Sequence, residues 1–215
     1  LLDSEGGMTA RAFQALGVPC TVAPPADYAS GRQSPFDYHL IVAGMDVDRS
    51  ALAARPERLL AFVHAGGIFV GMRASQEDAW LPTPVKMDKA YELGEILQPD
   101  HPLFGQPTKF AQAELNKVHG GSIYRAFYDL GAGWVPLVGT GREQSWDKTP
   151  AASAGPHYGI IELPVGQGRI ILCQMIPDYG FINDDKGQPG LSSQFLQNLL
   201  TYATSLAPNW PEPKP

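Results

Sequence analysis

The sequence has few cysteines, no long apolar run and no cluster of positive charge. Its 215 residues include 16 lysines and arginines against 22 aspartates and glutamates, so the net charge is −6. A nucleic-acid binder needs a basic face, and no part of the sequence provides one. Because no stretch of 18 apolar residues occurs, no transmembrane helix is predicted. We therefore expect neither a nucleic-acid nor a membrane partner.

Patterns that bind metals or common cofactors are also missing. No Cys-x-x-Cys spacing exists, which argues against a structural zinc site. None of the five histidines follows another at the i, i+2 or i, i+4 spacing of a local metal site. A dinucleotide fingerprint is absent, because the glycines at 131–133 lead into residues 134–136, which are not helical in pattern. We predict no metal and no cofactor.

The two cysteines, Cys20 and Cys173, are far apart, and each lies in an apolar stretch. A free cysteine in such a setting behaves as a small hydrophobic residue. We expect two buried thiols, and a disulfide between them is the alternative.

The composition is that of a globular protein with many turns. Hydrophobic residues make up 44% of the chain, and its 23 glycines and 20 prolines account for one residue in five. The length fits one domain of ordinary size. We predict a single α/β domain over residues 1–207, an insertion or elaboration at 74–157, and a Pro-rich tail or linker at 208–215.

The first residues give no sign of a secretory signal, since a basic start and an apolar core are both absent. Leu1-Leu2-Asp3 is typical of the end of a strand. We expect the chain to be a fragment of a processed protein or of a longer multidomain one. Its localisation stays open, with the periplasm and the extracellular space among the alternatives.

Short apolar runs alternate with helical patterns in the first third of the chain. Strands are predicted at 20–23, 39–43 and 68–72, and helices at 8–16 and 56–65. Continuous apolar strands between helices are typical of sheets buried on both faces. The predicted fold class is therefore an α/β, flavodoxin-like open sheet, mostly parallel, with helices on both faces.

The rest of the chain divides into an irregular and a regular part. Residues 74–157 hold many prolines and three tryptophans, with short strands predicted at 109–115, 123–128 and 134–139. Two further strands, at 158–163 and 169–175, predict a C-terminal antiparallel hairpin. Loops are expected at 26–37 and 178–190. A helix is expected at 193–205, with Ser192 or Ser193 as its N-cap.

Several segments resemble a known superfamily. They are residues 62–73 (FVHAGGIFVGMR), 101–104 (HPLF), 166–172 (GQGRIIL) and 195–202 (FLQNLLTY). Together they resemble the class I glutamine amidotransferase-like superfamily. They are similar in particular to the ThuA-like proteins and to the amidotransferase-like modules of polysaccharide-degrading enzymes. The resemblance covers most of the chain outside 105–155, and it implies a flavodoxin-like fold.

The same resemblance implies that the catalytic groups are lost. Amidotransferases need a nucleophilic cysteine on the elbow after the central strand and a histidine that takes its proton. In this sequence Arg73 stands at the elbow, where ThuA-like proteins often carry histidine. Ile176-Pro177-Asp178 stands where the superfamily has His-Pro-Glu. We therefore predict no catalytic residue of this kind and no glutaminase activity.

The elbow nevertheless defines a candidate binding site. Arg73 offers a planar fork of five donors that suits a carboxylate, for instance that of an acidic sugar. The alternative is an ion pair with Glu77 or Asp78, which would fix the insertion to the sheet. The candidate binding residues are Arg73, Gln76, Glu77, Trp80, Asp178 and Tyr179.

Other residues of the chain carry weaker signals. Trp80, Trp134, Trp146 and Tyr179 are either a sugar-stacking surface or packing residues. The acids at 184 and 185 lack the alternation of a calcium loop, so a solvated turn is favoured there.

Two functions are compatible with these patterns. The first is a non-catalytic accessory or interaction domain of a carbohydrate-processing multidomain protein. Its partners would be other domains of the same polypeptide or a second copy, with carbohydrate as a further ligand. The alternative is a ThuA-like enzyme acting on a sugar or sugar acid. Because the predicted strand ends carry only one charge, we expect protein to cover that end of the sheet, with Arg73 paired to an acid of the insertion.

Overall fold

A computed structural model describes residues 1–4, 6–45 and 47–206. The strands of this part of the chain are β1 (Leu40–Ala43), β2 (Ile68–Gly71), β3 (Lys86–Met87), β4 (Tyr91–Ile96), β5 (Ser122–Ile123), β6 (Phe127–Tyr128), β7 (Val135–Glu143), β8 (Tyr158–Val165) and β9 (Gly168–Cys173). The helices are α1 (Met8–Leu16), α2 (Pro25–Ser30), α3 (Ser50–Ala53), α4 (Pro56–His64), α5 (Gln112–Leu115), α6 (Pro177–Tyr179) and α7 (Leu191–Leu206).

All of these strands belong to one open sheet. Its main order is β1-β2-β9-β8-β7-β4-β5, and β6 pairs with β8 and with β3 beside this path. β2 pairs in parallel with β1 and β9, and Leu2 adds parallel bridges to Ala23 and Ala43. From β9 outward through β8, β7, β4 and β5 the pairs are antiparallel. The predicted open α/β sheet is confirmed, with its parallel and antiparallel strands in separate regions.

Both faces of the parallel region are packed. Alternate residues of β2 enter different apolar clusters, Val70 with α1 and α7 and Phe69 with α4. β1 and β9 alternate in the same way, so their side chains are removed from water on both sides. This explains why their sequences are continuous apolar runs rather than alternating ones.

Two glycine positions allow the sharp turns around these helices. Gly17 ends α1 at φ 68°, a left-handed conformation that glycine adopts at little cost. Between α4 and β2, a Cβ on Gly67 would lie 2.3 Å from the ring of Phe62. The chain can therefore turn from helix into strand directly over a buried aromatic side chain.

Residues 74–157 extend the sheet on the far side of β8. They contribute β3 to β7, and their apolar side chains join both clusters: Leu137 and Val138 lie in one, and Met87 and Trp134 in the other. The segment is thus built into the sheet and its two cores.

Several predicted elements match the structure. The strand predicted at 134–139 is part of β7, the hairpin is formed by β8 and β9, and the helices at 8–16, 56–65 and 193–205 are α1, α4 and α7. Short strands do occupy parts of 123–128, as β5 and β6. None of the described helices is long and apolar enough to cross a membrane.

Other predicted elements are wrong. The segment 109–115 contains α5 instead of a strand, the supposed loop 26–37 contains α2 and a 3-10 turn, and 178–190 contains α6 and a π-helical turn. In the predicted strand 20–23, only Ala23 forms a bridge. Ser192 and Ser193 lie inside the first turn of α7 rather than at its N-cap. β4 has no predicted counterpart, and the tail at 208–215 lies outside the described residues.

A buried ion pair joins the parallel region to the start of the 74–157 segment. Arg49 Nη1 lies 2.7 Å from Asp78 Oδ2, and both side chains are only 4% exposed. Arg49 also donates to the carbonyl of Met72 at the end of β2. Asp78 accepts a second hydrogen bond from Trp80 Nε1 at 3.0 Å. Each partner therefore compensates the buried charge of the other.

Replacing Asp78 with alanine should destabilise the protein strongly. The change leaves the guanidinium of Arg49 buried without its counter-charge, which costs about 3–5 kcal/mol of unfolding free energy. Denaturant unfolding measures this. Arg32→Ala is the matched control, because it breaks an ion pair with Asp27 in which Arg32 is 71% exposed. We expect the control to cost at most about 1 kcal/mol. Equal losses in the two variants would contradict a structural role for the Arg49–Asp78 pair.

Candidate functional site

The carboxyl ends of β1, β2 and β9 meet at one edge of the sheet. They are followed there by Gly44, Met72 and Gln174. Ligands of open α/β sheets bind outside this edge. The candidate site is therefore built from the side chains that follow these three strands and from the loops that reach them.

The elbow after β2 is held by a side chain from the end of β9. Gln174 is fully buried, and its Oε1 accepts a hydrogen bond from the backbone N–H of Ala74 at 3.0 Å. Its amide nitrogen donates back to the carbonyl of Ala74 at 3.4 Å. This two-way contact fixes the backbone immediately after Arg73.

Arg73 lies against an aromatic ring of the 74–157 segment. Its guanidinium carbon is 4.7 Å from the ring centroid of Tyr124, within cation–π distance. Both acids that the sequence offers as partners of Arg73 have contacts of their own, and Arg73 itself has a further interaction. Asp78 binds Arg49, and Glu77 accepts a hydrogen bond from the backbone N–H of Met87 at 3.1 Å.

Tyr124 belongs to a row of rings that we call the aromatic ladder, made of Tyr179, His119, Tyr124 and Trp146. The ring centroids are 5.1 Å apart between Tyr179 and His119 and 5.9 Å apart between His119 and Tyr124. Trp146 follows at 5.7 Å from Tyr124 and is 56% exposed. The ladder thus leads from the sheet edge to an exposed indole.

Hydrogen bonds fix the central ring of the ladder. His119 Nδ1 lies 2.5 Å from Asp184 Oδ2, and His119 Nε2 lies 3.0 Å from the hydroxyl of Tyr124. An ionised carboxylate only accepts hydrogen bonds, so Nδ1 carries a proton, and when the ring is neutral Nε2 accepts from Tyr124. Burial raises the pKa of Tyr124, while the charge of Arg73 opposes this shift. Tyr124 therefore keeps its hydroxyl proton at neutral pH.

Asp178 lies below this surface and is fully buried. Its Oδ2 accepts from Thr9 Oγ1 at 2.6 Å, and Thr9 Oγ1 accepts in turn from the backbone N–H of Met45 at 2.9 Å. Burial raises the pKa of Asp178, and the nearby charge of Asp3 raises it further. Asp178 thus anchors the chain after β9 to α1 and to the end of β1.

Neither thiol is placed as a nucleophile at the elbow. Cys173 is buried in β9, and burial raises its pKa to about 12. Thiolate chemistry at neutral pH is therefore suppressed there.

Cys20 is exposed, so the prediction of two buried thiols is wrong for this residue. It follows α1 in a loop where its side chain is not enclosed by the core. Both cysteines are free, so the disulfide alternative is excluded.

The structure does not bring all the predicted binding residues together. Arg73 contacts the ladder and Tyr179 belongs to it, whereas Gln76 and Glu77 are exposed on the segment after the elbow and Asp178 is buried. Trp80 is buried against Phe69 at 4.8 Å between ring centroids, which makes it a packing residue.

Sequence patterns did not single out Tyr124 or His119 for the ladder. The ladder residues come from three distant parts of the chain, around 119–124, at 146 and at 179, so no short spacing connects all four. The two glycines that follow His119 are a weak sequence signal of a tight turn at this position. In the structure His119 itself has a positive φ of 44°. Among the described residues, no three His, Cys, Asp or Glu side chains are grouped so as to hold a metal ion.

No protein-family model and no curated protein matches the sequence. Solved structures do resemble the fold. A protein from Bacteroides uniformis, provisionally described as ThuA-like, is 14% identical over 93% of this chain and 86% of its own, with a TM-score of 0.55. A cytoplasmic protein from Salmonella typhimurium LT2 is 9% identical over 94% of this chain and 86% of its own, with a TM-score of 0.52.

A cold-adapted β-galactosidase from a Rahnella species aligns with 97% of this chain and 28% of its own at 15% identity. Its TM-score of 0.47 is too low to support an inference. The similarities above that level show that the chain has a ThuA-like fold.

Replacing Asp178 with asparagine should change the pH dependence of stability. The pKa of Asp178 is raised in the folded state, so the folded protein binds this proton more tightly than the unfolded chain does. The stabilisation is therefore present below the ordinary pKa of 3.8 and is lost as pH rises through the folded-state pKa. The substituted amide does not titrate, so the variant lacks this loss.

Urea unfolding of both proteins between about pH 4 and pH 7 tests this linkage. The stability of the wild type relative to Asp178→Asn should fall as the pH rises. A difference that is constant, or that grows with pH, would contradict a raised pKa for Asp178.

Proposed function

We propose that this chain is a non-catalytic ThuA-like domain of a carbohydrate-processing multidomain protein, and that its aromatic ladder binds a sugar ring. The observation that carries the proposal is the ladder itself. It connects the strand ends, where open α/β sheets bind ligands, to the exposed indole of Trp146. The partners we propose are other domains of the same polypeptide or a second copy of the chain.

The non-catalytic role is supported by what stands at the elbow. Amidotransferases need a cysteine thiolate at the elbow. This chain has Arg73 there, and a guanidinium is not a nucleophile. The thiol in the neighbouring strand β9, that of Cys173, is buried and has a pKa raised to about 12. Ile176, in the position of the superfamily's histidine, is buried and cannot accept a proton.

Sugar binding is supported by the chemistry of the exposed rings. The apolar C–H face of a pyranose packs on a flat aromatic ring, and indole offers the largest such ring. Polar groups lie beside the inner rings of the ladder: the Arg73 guanidinium lies over Tyr124, and Asp184 contacts His119. We propose that Arg73 supplies the positive charge that favours a sugar carrying a carboxylate.

The proposal includes a flavodoxin-like arrangement of the parallel region. Leu2 and Ala23 can be counted as the first and second parallel strands, and β1, β2 and β9 as the third, fourth and fifth. The order across the parallel region is then 2-1-3-4-5. This is the flavodoxin-like order, in which ligands bind at the crevice where the order reverses.

Replacing Trp146 with alanine should weaken sugar binding at least tenfold, about 1.4 kcal/mol, because the exposed stacking surface is removed. Titration calorimetry with trigalacturonate and with maltotriose measures the affinity. We expect trigalacturonate to bind more tightly to the wild type because of Arg73. Phe36→Ala is the control, since Phe36 is also exposed but packs near Phe62 of α4. Affinity that is unchanged by Trp146→Ala, or lost equally in the control, would exclude the ladder as the sugar site.

The purified chain should also release no ammonia from glutamine above the buffer background. A coupled ammonia assay checks this, with alkylated protein as the second sample. Release that disappears on alkylation would mean that Cys20 or Cys173 acts as a nucleophile, and it would contradict the non-catalytic role. Release that survives alkylation would contradict it as well, through a different group.

A further inference from the structure

The antiparallel region of the sheet carries a second concave surface, which we call the strap groove. Two adjoining cavities of about 460 and 650 Å³ share a wall made by the segment 153–158 before and at the start of β8. Ser153 and Tyr158 line both cavities. Volumes of this size are typical of small-molecule sites. None of the ladder residues lines either cavity, so the groove is distinct from the ladder.

A buried polar network lies beneath this wall. The carboxylate of Asp88 is contacted by His157 Nε2 at 2.7 Å and by the hydroxyl of Tyr91 at 3.0 Å. It also accepts from the backbone N–H groups of Lys89 at 2.7 Å and Ala152 at 3.0 Å. Four hydrogen bonds fill the acceptor sites of a carboxylate. Asp88 therefore remains ionised and ties the wall to the strand region below it.

This network fixes the ring of His157. An ionised Asp88 cannot donate a hydrogen bond, so His157 Nε2 carries a proton, and Nδ1 is the ring nitrogen left for another partner. The ring is held on its face by Tyr91, at 4.6 Å and an interplanar angle of 26°. Nδ1 makes no hydrogen bond to any described residue, and it is not among the side-chain atoms that are both sealed from solvent and unpaired. His157 lines the smaller cavity.

Most charges around the groove belong to ion pairs, among them Arg142 Nε with Glu92 Oε1 at 2.7 Å, whereas Glu95 of the smaller cavity belongs to none of these pairs. Lys86 lies 2.6 Å from Asp129, and Lys89 Nζ lies 2.8 Å from Glu143. The groove therefore has little net charge to attract an ion, although its carboxylates can accept hydrogen bonds from hydroxyls. The rings of Tyr128 and Tyr158 add flat apolar surface to the larger cavity.

We propose that the strap groove binds a neutral oligosaccharide. Aromatic faces, the Nδ1 of a histidine ring held in one orientation and charges that mostly belong to ion pairs suit a polyhydroxylated, uncharged ligand that offers both C–H faces and O–H groups. The two cavities on either side of the shared wall have room for more than one sugar ring. This site is separate from the aromatic ladder, and we expect each of the two to bind its ligand independently of the other.

NMR titration of the ¹⁵N-labelled wild-type chain with cellotetraose, maltotetraose and mannotetraose tests the proposal. We expect at least one of these probes to shift the amide signals of residues 153–158 in a saturable manner. Two variants then test the location. Ser153→Trp fills the space shared by both cavities, and Tyr158→Ala removes a stacking ring. Each should weaken binding at least about tenfold, whereas Tyr38→Ala, a change to a tyrosine that binds Gln33 outside the groove, should not.

Thermal unfolding shows whether each variant folds. If a variant does not fold, the chemical-shift changes of the wild-type protein alone decide whether the sugar binds in the groove. Trp146→Ala should leave groove binding unchanged. Shifts confined to the ladder would overturn the groove, and saturable shifts at 153–158 would support it. No shift with any probe overturns the groove, and tighter binding of trigalacturonate at 153–158 overturns its neutral ligand class.

Discussion

The parallel pairing of β2 with β9 holds the candidate site in place. Gly71 lies opposite Leu172 in this register, although about one hundred residues separate the two strands in the chain. The pairing brings Gln174 to the backbone of Ala74, and it brings Asp178 to Thr9 and the end of β1. Without it the elbow would have no buried amide to hold it, and the loops that form the ladder would have no common edge to pack on.

The charged groups near this edge are held by fixed contacts. Arg49 and Asp78 neutralise each other in the core, and Asp178 is buried with a raised pKa. Asp184, His119 and Tyr124 form a chain of hydrogen bonds that orients the rings of the ladder. This arrangement suits recognition of a ligand by surfaces and fixed hydrogen bonds.

The parts of the fold that sequence patterns predict are those determined locally. β1, β2 and β9 are buried on both faces, so each is a continuous apolar run. The helices that cover them have one apolar side. β4 was not predicted because it is not a continuous apolar run: its buried residues alternate with less buried ones. It also contains Gly94, a residue that does not favour strands, at a place where a Cβ would lie 2.3 Å from the carbonyl carbon of Thr140. α5 is set by tertiary contacts, since Gln112 hydrogen-bonds the backbone of Gly94 and Ile96.

The candidate site follows the same division. The place of Arg73 at the end of β2 follows from the strand pattern. Of the two roles considered for Trp80, sugar stacking and packing, the structure shows packing. The ladder depends on loops that meet only in three dimensions, so neither His119 nor Tyr124 could be connected to Trp146 by spacing. Polar networks such as that of Asp88 and His157, separated by 69 residues, are hidden for the same reason.

A crystal structure of the chain soaked with trigalacturonate tests the central claim most directly. The account predicts density for a sugar ring on the exposed face of Trp146, with its carboxylate on the side of Arg73. A ring bound elsewhere on the molecule, with Trp146 and Tyr124 bare, would contradict the assignment of the ladder as the sugar-binding site.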